Sequence, residues 1–372
     1  MRIKTILTHH VGPFSDQHFS FDNDWTGKPE TKVLLTGPNG CGKSTLLRAV
    51  AVLWDACAYW LDHQKPLPQK HESRVWLQRW GGLVVILDGI HPFFDQPVGL
   101  IFGERIWIES VMHKFPDTVW FGETINRPLQ GRTSRIFRML HLPQDDWFFK
   151  WVDARKKLIL TYEPVNAPNV IYLDAEERRW VTPKKYISEP VLDQLSQRWL
   201  TKYMVTEDWR TQLEPSLITL KTSSLHRFHE IVRSMNQFLS GKQIDPDIKN
   251  GESRLRVKLE GRGAASHLLD DLSAGEHQVL ILIYLISRFL QPEGIVLIDE
   301  PDLYLHPSLI SPLLSTLEQL VQSRDGQFVI TSHSVDVWSR YEQSGMRIEL
   351  DSKPVTPAGR FAERKDKHEA MA

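Results

Sequence analysis

A glycine-rich stretch, GPNGCGKST at residues 37–45, contains the residue types that bind nucleotide phosphates. It satisfies the pattern G-x-x-x-x-G-K-[ST] in full, and the apolar run before it and the helix-like run after it argue against a chance glycine turn. Glycines let backbone N–H groups close around a phosphate, and the helix adds its positive dipole end. We expect Lys43 to reach the β- and γ-phosphates of ATP and Ser44 to ligate Mg²⁺. The candidate phosphate-binding residues are Gly37, Pro38, Asn39, Gly40, Cys41, Gly42, Lys43, Ser44 and Thr45.

Two adjacent carboxylates, Asp299 and Glu300, end a second apolar run, IVLI at residues 295–298. Burying charge is costly, so carboxylates at the end of a buried strand need a reason, and a bound cation supplies one. We expect Asp299 to hold Mg²⁺, usually through water, and Glu300 to polarise a water for attack on the γ-phosphate. The alternative, a strand that ends in solvated acids, loses weight because the phosphate loop is present.

Two further stretches are ambiguous on their own. In LSAGEHQ, residues 272–278, a serine and a glycine directly precede an apolar helix, which makes an N-cap and an anion site but also fits an ordinary helix cap. In ITSHS, residues 330–334, a buried strand leads to His333 among hydroxyls, and a lone histidine is more often structural. Only their order along the chain, with the phosphate loop and the carboxylates, makes them informative.

In that order the four stretches resemble the motifs of the ABC-type ATPases. LSAGE resembles the family signature, usually written LSGGQ, and His333 matches the switch histidine that contacts the γ-phosphate. The resemblance implies an enzyme that hydrolyses ATP with Mg²⁺, with Glu300, His333 and Lys43 as catalytic residues. It also implies a homodimer or larger homo-oligomer, because in this family the signature of one chain closes over ATP held by the other. The signature residues here are Ser273, Ala274, Gly275 and Glu276.

Departures from the transporter subunits indicate the branch of the family. Glu276 stands where a transporter has glutamine, and PDLYLHP follows the carboxylates in place of a Ser-Ala-Leu-Asp segment. The strand I-x-x-H-H-V-G-P-F before a GPNG loop, NVIYLDAEERR and DEPDLYLHP are similar to the RecF, SMC and OLD group. SMC proteins carry long heptad arrays, which the central part of this chain lacks. OLD nucleases carry a Toprim domain after the ATPase, and none is expected in the roughly 40 residues after His333.

The resemblance is therefore to a stand-alone ATPase head. Heads of that kind often work with a separately encoded effector, such as a nuclease or a toxin, in DNA repair or anti-phage defence. Two hypotheses follow for this chain. In the first it is an ATP-gated switch associated with nucleic acid. In the second it is an ATP-dependent scaffold that holds or activates an effector protein and never touches nucleic acid.

The central part of the chain is where specificity is expected, and it is hard to interpret. Basic clusters around residues 132–138, 155–157, 178–179 and 184–185 alternate with aromatic residues, which suits phosphate contacts and base stacking. The alternative is a solvated face with ordinary core aromatics. The family also uses a loop glutamine to sense Mg²⁺, and the sequence does not choose between Gln130 and Gln144.

The pattern of elements predicts an α/β fold. Buried strands that alternate with helices indicate a parallel core sheet covered on both faces, with an N-terminal antiparallel β lobe and a central, mostly helical insertion. We expect an N-terminal ATPase lobe at 1–120, the insertion at 121–265, a C-terminal ATPase lobe at 266–352 and a charged tail at 353–372. RIWIES, residues 105–110, has the alternation of a strand, and residues 189–204 have helical spacing.

Composition sets limits on partners and compartment. Lys and Arg number 45 against 46 Asp and Glu, so any nucleic-acid surface must be a local patch. The two cysteines, Cys41 and Cys57, cannot form a CxxC metal pair, and a reducing, cytoplasmic location fits best. The longest apolar run, VLILIYLI at 279–286, is far too short for a membrane span, so no membrane partner is expected.

Overall fold

Short runs rich in Val, Ile, Leu and Phe form the strands, as their β propensity predicts. The computed structural model describes residues 1–126, 136–182, 195–203, 213–248, 252–261 and 265–350. The strands in these ranges are β1 Ile3–Val11, β2 Phe14–Ser20, β3 Lys32–Thr36, β4 Gly82–Leu87, β5 Val98–Glu104, β6 Val119–Asn126, β7 Ile136–Met139, β8 Val170–Leu173, β9 Leu200–Lys202, β10 Lys242–Asp245, β11 Arg256–Leu259, β12 Ser266–Leu268, β13 Ile295–Ile298, β14 Gln327–Thr331 and β15 Met346–Glu349.

Longer segments with apolar residues three and four apart form the helices. Within the described ranges these are α1 Lys43–His63, α2 Glu72–Leu77, α3 Arg105–Lys114, α4 Asp146–Leu160, α5 Leu213–Ser223, α6 Leu225–Asn236, α7 Ala274–Phe289, α8 Pro307–Gln322 and α9 Val335–Ser344. In the part of the chain that the structure describes, no helix combines the length and the apolarity that crossing a membrane requires.

A six-stranded sheet in the order β15-β3-β14-β13-β8-β9 forms the centre of the fold. Every neighbouring pair in it is parallel, and β13 and β14 are buried along their whole length. Because the strands are parallel, their carboxyl ends meet at one edge, where the ends of β3, β13 and β14 lie side by side. The predicted parallel core sheet is confirmed.

Two further sheets flank this centre. The N-terminal one has the order β2-β1-β4-β5-β6-β7 and is antiparallel except for the parallel pair β5 and β6. The other is a small antiparallel sheet of β10, β11 and β12. The chain therefore has the predicted mixed α/β fold with an N-terminal, mainly antiparallel lobe.

Helix α1 lies between the two large sheets and is buried on nearly every side. Its apolar residues join one core with the inner faces of both sheets, and α5 to α8 cover the other face of the parallel sheet in a second core. Trp54 of α1 stacks on Trp199 just before β9, with ring centroids 4.2 Å apart. Each indole Nε1 donates to the other residue's carbonyl oxygen, at 3.0 and 3.2 Å. This reciprocal pair joins α1 to the edge of the parallel sheet.

Two local predictions are wrong. Residues 105–110 form the start of helix α3, in which Ile108 and Val111 are buried three residues apart while Ile106 is 83% exposed. The apolar residues of this run alternate by chance. They belong to an amphipathic helix that begins directly after β5. The predicted helix at 189–204 contains strand β9, which pairs with β8 at the sheet edge. Its residues 189–194 and 204 lie outside the described residues.

The domain boundaries stay a prediction. The segment 121–265 contains helices α4, α5 and α6, but it also supplies β8 and β9 to the parallel sheet. Part of the predicted insertion is therefore continuous with the nucleotide-binding core. The predicted tail, residues 353–372, lies outside the described residues.

Replacing Trp54 by alanine should lower the free energy of unfolding by about 3–5 kcal/mol, because a large buried side chain and a buried hydrogen bond are both removed. Chemical denaturation of the purified protein measures this. Trp25→Ala is the matched control, since Trp25 is 96% exposed and its removal should change stability by less than about 0.5 kcal/mol. Equal stabilities of the two variants would contradict the assigned core.

Candidate nucleotide site

The loop between β3 and α1 has the backbone of a phosphate cradle. Three of its residues take positive φ angles, 145° at Gly37, 78° at Gly40 and 99° at Gly42. A Cβ at Gly37 would lie 2.5 Å from the carbonyl oxygen of Leu350, and one at Gly42 would overlap the ring of Phe14. Both the loop conformation and its packing therefore require glycine.

Lys43 begins helix α1 and lies over this loop. It is only 5% exposed, and its Nζ donates to the carbonyl oxygens of Gly37 at 3.0 Å and Pro38 at 3.2 Å. The first turn of α1 contains no acidic side chain. The ammonium group, the helix N-terminus and the loop N–H groups thus concentrate positive potential at one place, which is the electrostatics that phosphates require.

The two carboxylates follow β13, which β14 separates from β3 at this edge of the sheet. Asp299 is 4% exposed, and its Oδ1 accepts a hydrogen bond from the Thr331 hydroxyl at the end of β14, 2.6 Å away. The same hydroxyl oxygen accepts from the backbone N–H of Glu300 at 2.9 Å. Thr331 therefore fixes both acidic residues from the neighbouring strand.

Glu300 lies beside His333 at the carboxyl end of β13. Its Oε1 lies 3.5 Å from Nε2 of His333, whose side chain is 40% exposed. Burial raises the pKa of the Glu300 carboxyl, the negative charge of Asp299 raises it further, and His333 and Lys43 oppose this. A raised pKa makes a carboxylate a better proton acceptor, which suits the predicted base role.

The predicted Mg²⁺ ligands fit a nucleotide-bound ion. No group of three or more His, Cys, Asp or Glu side chains among the described residues forms a metal centre. Mg²⁺ bound with a nucleotide uses only one or two protein ligands besides phosphate oxygens and water, so such a centre is not required. Asp299 is buried beside the loop with one oxygen engaged by Thr331, and Ser44 lies in the first turn of α1. These two residues would hold the ion.

The signature stretch forms the N-terminal cap of helix α7, and its Glu276 makes an ion pair. Ser273 is the N-cap of α7: its Oγ accepts from the N–H of Glu276 at 3.3 Å, and the Glu276 carboxylate accepts from the Ser273 N–H at 2.8 Å. Lys242 of β10 pairs with Glu276 at 2.8 Å. Burial would raise the pKa of Glu276, but the hydrogen bonds from Lys242 and Ser273 lower it overall. The ion pair with Lys242 explains the glutamate at a position where a transporter has glutamine, since the capping box alone would accept either residue.

The signature also packs on the segment after the carboxylates within the same chain. A Cβ at Gly275 would lie 2.8 Å from the carbonyl oxygen of Tyr304, so this close approach requires glycine there. Ala274 is the first residue of α7. Tyr304 itself has a positive φ of 64° and is 67% exposed. The structure thus brings the phosphate loop, the carboxylates and His333 together and places the signature at the far side of the carboxylate segment.

The structure does not decide between the two candidate Mg²⁺-sensing glutamines. Gln130 lies outside the described residues. Gln144 is exposed just before α4, and its side-chain amide donates to the Leu142 carbonyl oxygen at 3.5 Å. The strand beside β13 is β8, so the residues that follow it, from Asp174 onward, occupy the position next to Asp299 and Glu300 at the sheet edge.

Sequence reasoning missed several residues of the site. Arg178 is 1% exposed, and its Nη2 donates to the carbonyl oxygen of Glu300 at 2.7 Å. Ser332 Oγ donates to Asp302 at 2.9 Å, and burial raises the pKa of that aspartate. The hydroxyls of ITSHS offered a signal for Thr331 and Ser332, because they follow a buried strand. Arg178 offered none, since in the sequence it is one of several basic residues.

A parallel sheet with a phosphate loop after β3 and paired carboxylates after β13, with β14 between these strands, has the layout of a P-loop nucleotide-binding fold, and the capped helix α7 and His333 resemble the signature and switch histidine of the ABC type. A model described as "AAA domain, putative AbiEii toxin, Type IV TA system" matches residues 192–337, and a second AAA-domain model matches residues 1–65. The two matched stretches contain the phosphate loop at one end and the signature, the paired carboxylates and His333 at the other, so over both of them the chain is similar to ABC/AAA-type ATPase domains.

Two curated relatives and one solved structure illustrate the likeness. The "Retron Ec83 probable ATPase" of Escherichia coli is 30% identical over 207 residues, which cover 51% of this chain and 36% of that protein. "Protein ea59" of Escherichia phage lambda is 29% identical over 124 residues, 33% of this chain and 23% of the relative. The Smc head of Pyrococcus furiosus, bound to the C-terminal domain of ScpA, is 12% identical over 91% of both chains with a TM-score of 0.42. The chain thus spans about a third or less of the length of these curated relatives.

Lys43→Ala should abolish most ATP binding, because the ammonium group supplies charge between the β- and γ-phosphates. Isothermal titration calorimetry with ATP measures the decrease. Lys4→Ala is a control that removes a lysine paired with Asp22 on the N-terminal sheet. An affinity equal to that of the wild type would mean that the site lies elsewhere.

Proposed function

We propose that this protein hydrolyses ATP slowly and acts as an ATP-controlled switch. The observation that carries the proposal is the position of Glu300, 3.5 Å from His333 and within electrostatic range of Lys43. A carboxylate with a raised pKa at that place can accept the proton of an attacking water. The folded geometry is typical of phosphoryl transfer to water, in which the protein contributes mainly position and charge.

Each residue of the site has a distinct part in this reaction. The N–H groups of the loop and Lys43 bind the β- and γ-phosphates. Glu300 takes the proton of the attacking water, and His333 holds the γ-phosphate on the side of Glu300. Ser44 and Asp299 would hold Mg²⁺, which would supply positive charge to the phosphates when it is bound with the nucleotide.

ATP also joins two copies of the chain in our proposal. The signature, Ser273 to Glu276, would contact the γ-phosphate of ATP held in the phosphate loop of the partner. The support is geometric, since Ser273 caps α7 with its hydroxyl and N-terminal N–H groups at one end of the helix. Hydrolysis then opens the pair, so that chemistry is coupled to a rigid-body change.

A role with a separate effector protein in anti-phage defence or DNA repair fits the relatives. One of them is a retron ATPase, and the matched AAA model is described in terms of a toxin of a type IV toxin–antitoxin system. The same reasoning favours a toxin or a nuclease as the effector.

One surface favours the version in which the switch also binds nucleic acid. Two adjoining pockets of about 390 and 360 Å³ share Arg227, Leu290 and Arg324 and form a groove. Its lining includes Leu290, Gln291 and Arg324, which directly precede β13 and β14 in the chain. The groove is therefore at the amino ends of these strands, on the edge of the sheet opposite the predicted nucleotide site. Glu230 is the one acidic residue among its lining residues in the described part of the chain, and its arginines are Arg198, Arg227, Arg233, Arg288 and Arg324.

In the described part of the basic clusters predicted from sequence, two arginines are buried and cannot contribute to such a surface. Arg155 is buried against Asp62 and Trp199, and Arg178 is buried in the nucleotide site. Phe148 and Trp151 belong to the core. The clusters at 132–135 and 184–185 lie outside the described residues. The groove is therefore the stronger candidate for phosphate contacts, and the scaffold without nucleic acid is the competing hypothesis.

Glu300→Gln should bind ATP with an affinity near that of the wild type and hydrolyse it about 10²–10⁴-fold more slowly. The amide keeps the shape of the side chain but cannot take the proton. Because ATP is not consumed, the variant should also accumulate pairs. Steady-state phosphate release and light scattering with ATP measure the two effects, and turnover near the wild-type rate would remove the base role from Glu300.

The matched control for pairing is Ser273→Arg in the Glu300→Gln background. The larger cation fills the space where the γ-phosphate of the partner must lie, so the doubly substituted chain should bind ATP and stay single. Pairs that persist in this variant would mean that the signature takes no part in a shared site.

Arg233→Glu with Arg324→Glu should weaken binding of duplex or single-stranded DNA. The dependence of log affinity on log salt should also become less steep, by about one unit for each phosphate that the arginines no longer neutralise. Fluorescence anisotropy across a salt series measures both effects. Arg105→Glu, on α3 and paired with Glu109, is the control. A wild-type protein with no salt-dependent DNA binding would favour the scaffold.

A further inference from the structure

Arg178 is a buried charge under the nucleotide site that the reaction described above does not use. It is 1% exposed, and the negative charges of Asp299, Asp174, Glu300 and Asp302 act on its guanidinium and oppose the effect of burial on its pKa. Burial lowers its pKa from 12.5 to about 10, so it stays charged at neutral pH. A buried arginine is costly unless carboxylates compensate it, and here they lie at the catalytic edge of the sheet.

The one hydrogen bond that its guanidinium makes to a described residue goes to the base itself. Nη2 donates to the carbonyl oxygen of Glu300 at 2.7 Å, while Nε and Nη1 have no hydrogen-bond partner among the described residues. Glu300 has a φ of 49°, a left-handed conformation that is uncommon for glutamate. Its N–H is bound by Thr331 and its carbonyl by Arg178. These two contacts therefore set the direction in which its side chain leaves the backbone.

The other end of the same residue reaches the signature helix. The carbonyl oxygen of Arg178 accepts a hydrogen bond from Nε2 of Gln278, in the second turn of α7. Two residues on, Trp180 stacks on His277 with ring centroids 4.4 Å apart and donates to Asp270 at 2.6 Å. Residues 174–180 thus link α7 to Glu300: a hydrogen bond and ring stacking reach α7, and the Arg178 guanidinium reaches Glu300.

We propose that Arg178 is a positioning residue through which the signature helix controls the orientation of Glu300. This rests on the proposed function. When the signature closes on the nucleotide of the partner chain, α7 moves, and the Gln278 side chain moves with it. Gln278 donates to the Arg178 carbonyl oxygen and Arg178 donates to the Glu300 carbonyl oxygen, so this movement changes the position of the Glu300 backbone. Hydrolysis then proceeds only when the shared site is complete, because the base is in place only then.

Arg178→Met tests the proposal. The variant should bind ATP within about threefold of the wild type, because the Arg178 guanidinium donates to Glu300 and not to the phosphate loop, while kcat should fall about 10- to 100-fold. KM should change little. Gln278→Met should lower kcat in the same way although it does not touch Glu300. The double variant should fall no further than the worse single one, since the two side chains act in series.

Two more variants keep the test decisive. Arg179→Met is the matched control, because Arg179 is the exposed neighbour in the same segment and should keep the wild-type kcat. Arg178→Lys retains a buried cation that can donate one bond, so it should recover part of the rate that Arg178→Met loses, and Gln278→Met decides the matter if Arg178→Met does not fold. A kcat within twofold of the wild type for Gln278→Met and for any folded Arg178→Met, with Glu300→Gln slowed as predicted, overturns the inference alone. A wild-type chain without turnover overturns the proposed function and the inference together.

Discussion

The concentration of negative charge at the end of one buried strand is the constraint on which the rest of the site depends. Asp299, Glu300 and Asp302 follow four fully buried apolar residues of β13, so burial raises the pKa of Glu300 and Asp302. The fold offsets the negative charge from several directions: Thr331 donates to Asp299, Ser332 donates to Asp302, and Arg178 donates to the Glu300 carbonyl oxygen. The residues that compensate this negative charge also fix the positions of the carboxylates. For this reason the same site is suited both to binding phosphate and to orienting a general base.

Much of this could be predicted from the sequence because the chemistry is local. The phosphate loop needs residues 37–45 and the strand and helix beside them, and the structure places them so. Strands β13 and β14 are short apolar runs with polar residues at their carboxyl ends, and in a parallel sheet those ends must meet. The roles assigned to Lys43, Asp299, Glu300 and His333 remain predictions, but their proximity follows from topology alone.

The rest could not be predicted because it depends on contacts between distant residues. Arg178 acts on Glu300 across 122 positions, and nothing local separates it from Arg179, which is exposed. Strand β9 was predicted as helix from the spacing of its own residues. Its conformation depends on pairing with β8, which lies elsewhere in the sequence and does not enter a local pattern. Helix α3 was predicted as strand because three residues alternate, although burial follows Ile108 and Val111. In each case the tertiary partner decided the outcome.

The signature carries a physical consequence of its own. In the capping box the hydroxyl of Ser273 already donates to Glu276 at 2.9 Å and accepts from its N–H. A phosphate that approaches Ser273 would therefore meet a carboxylate as well as a helix N-terminus, and the two act on it with opposite sign. Lys242, 2.8 Å from Glu276, supplies the missing positive charge from β10. Because β10 belongs to the small antiparallel sheet of β10, β11 and β12, the charge balance at Ser273 depends on the position of that sheet relative to α7. Under the proposed function, a partner that moves this sheet would change how strongly two chains close on ATP.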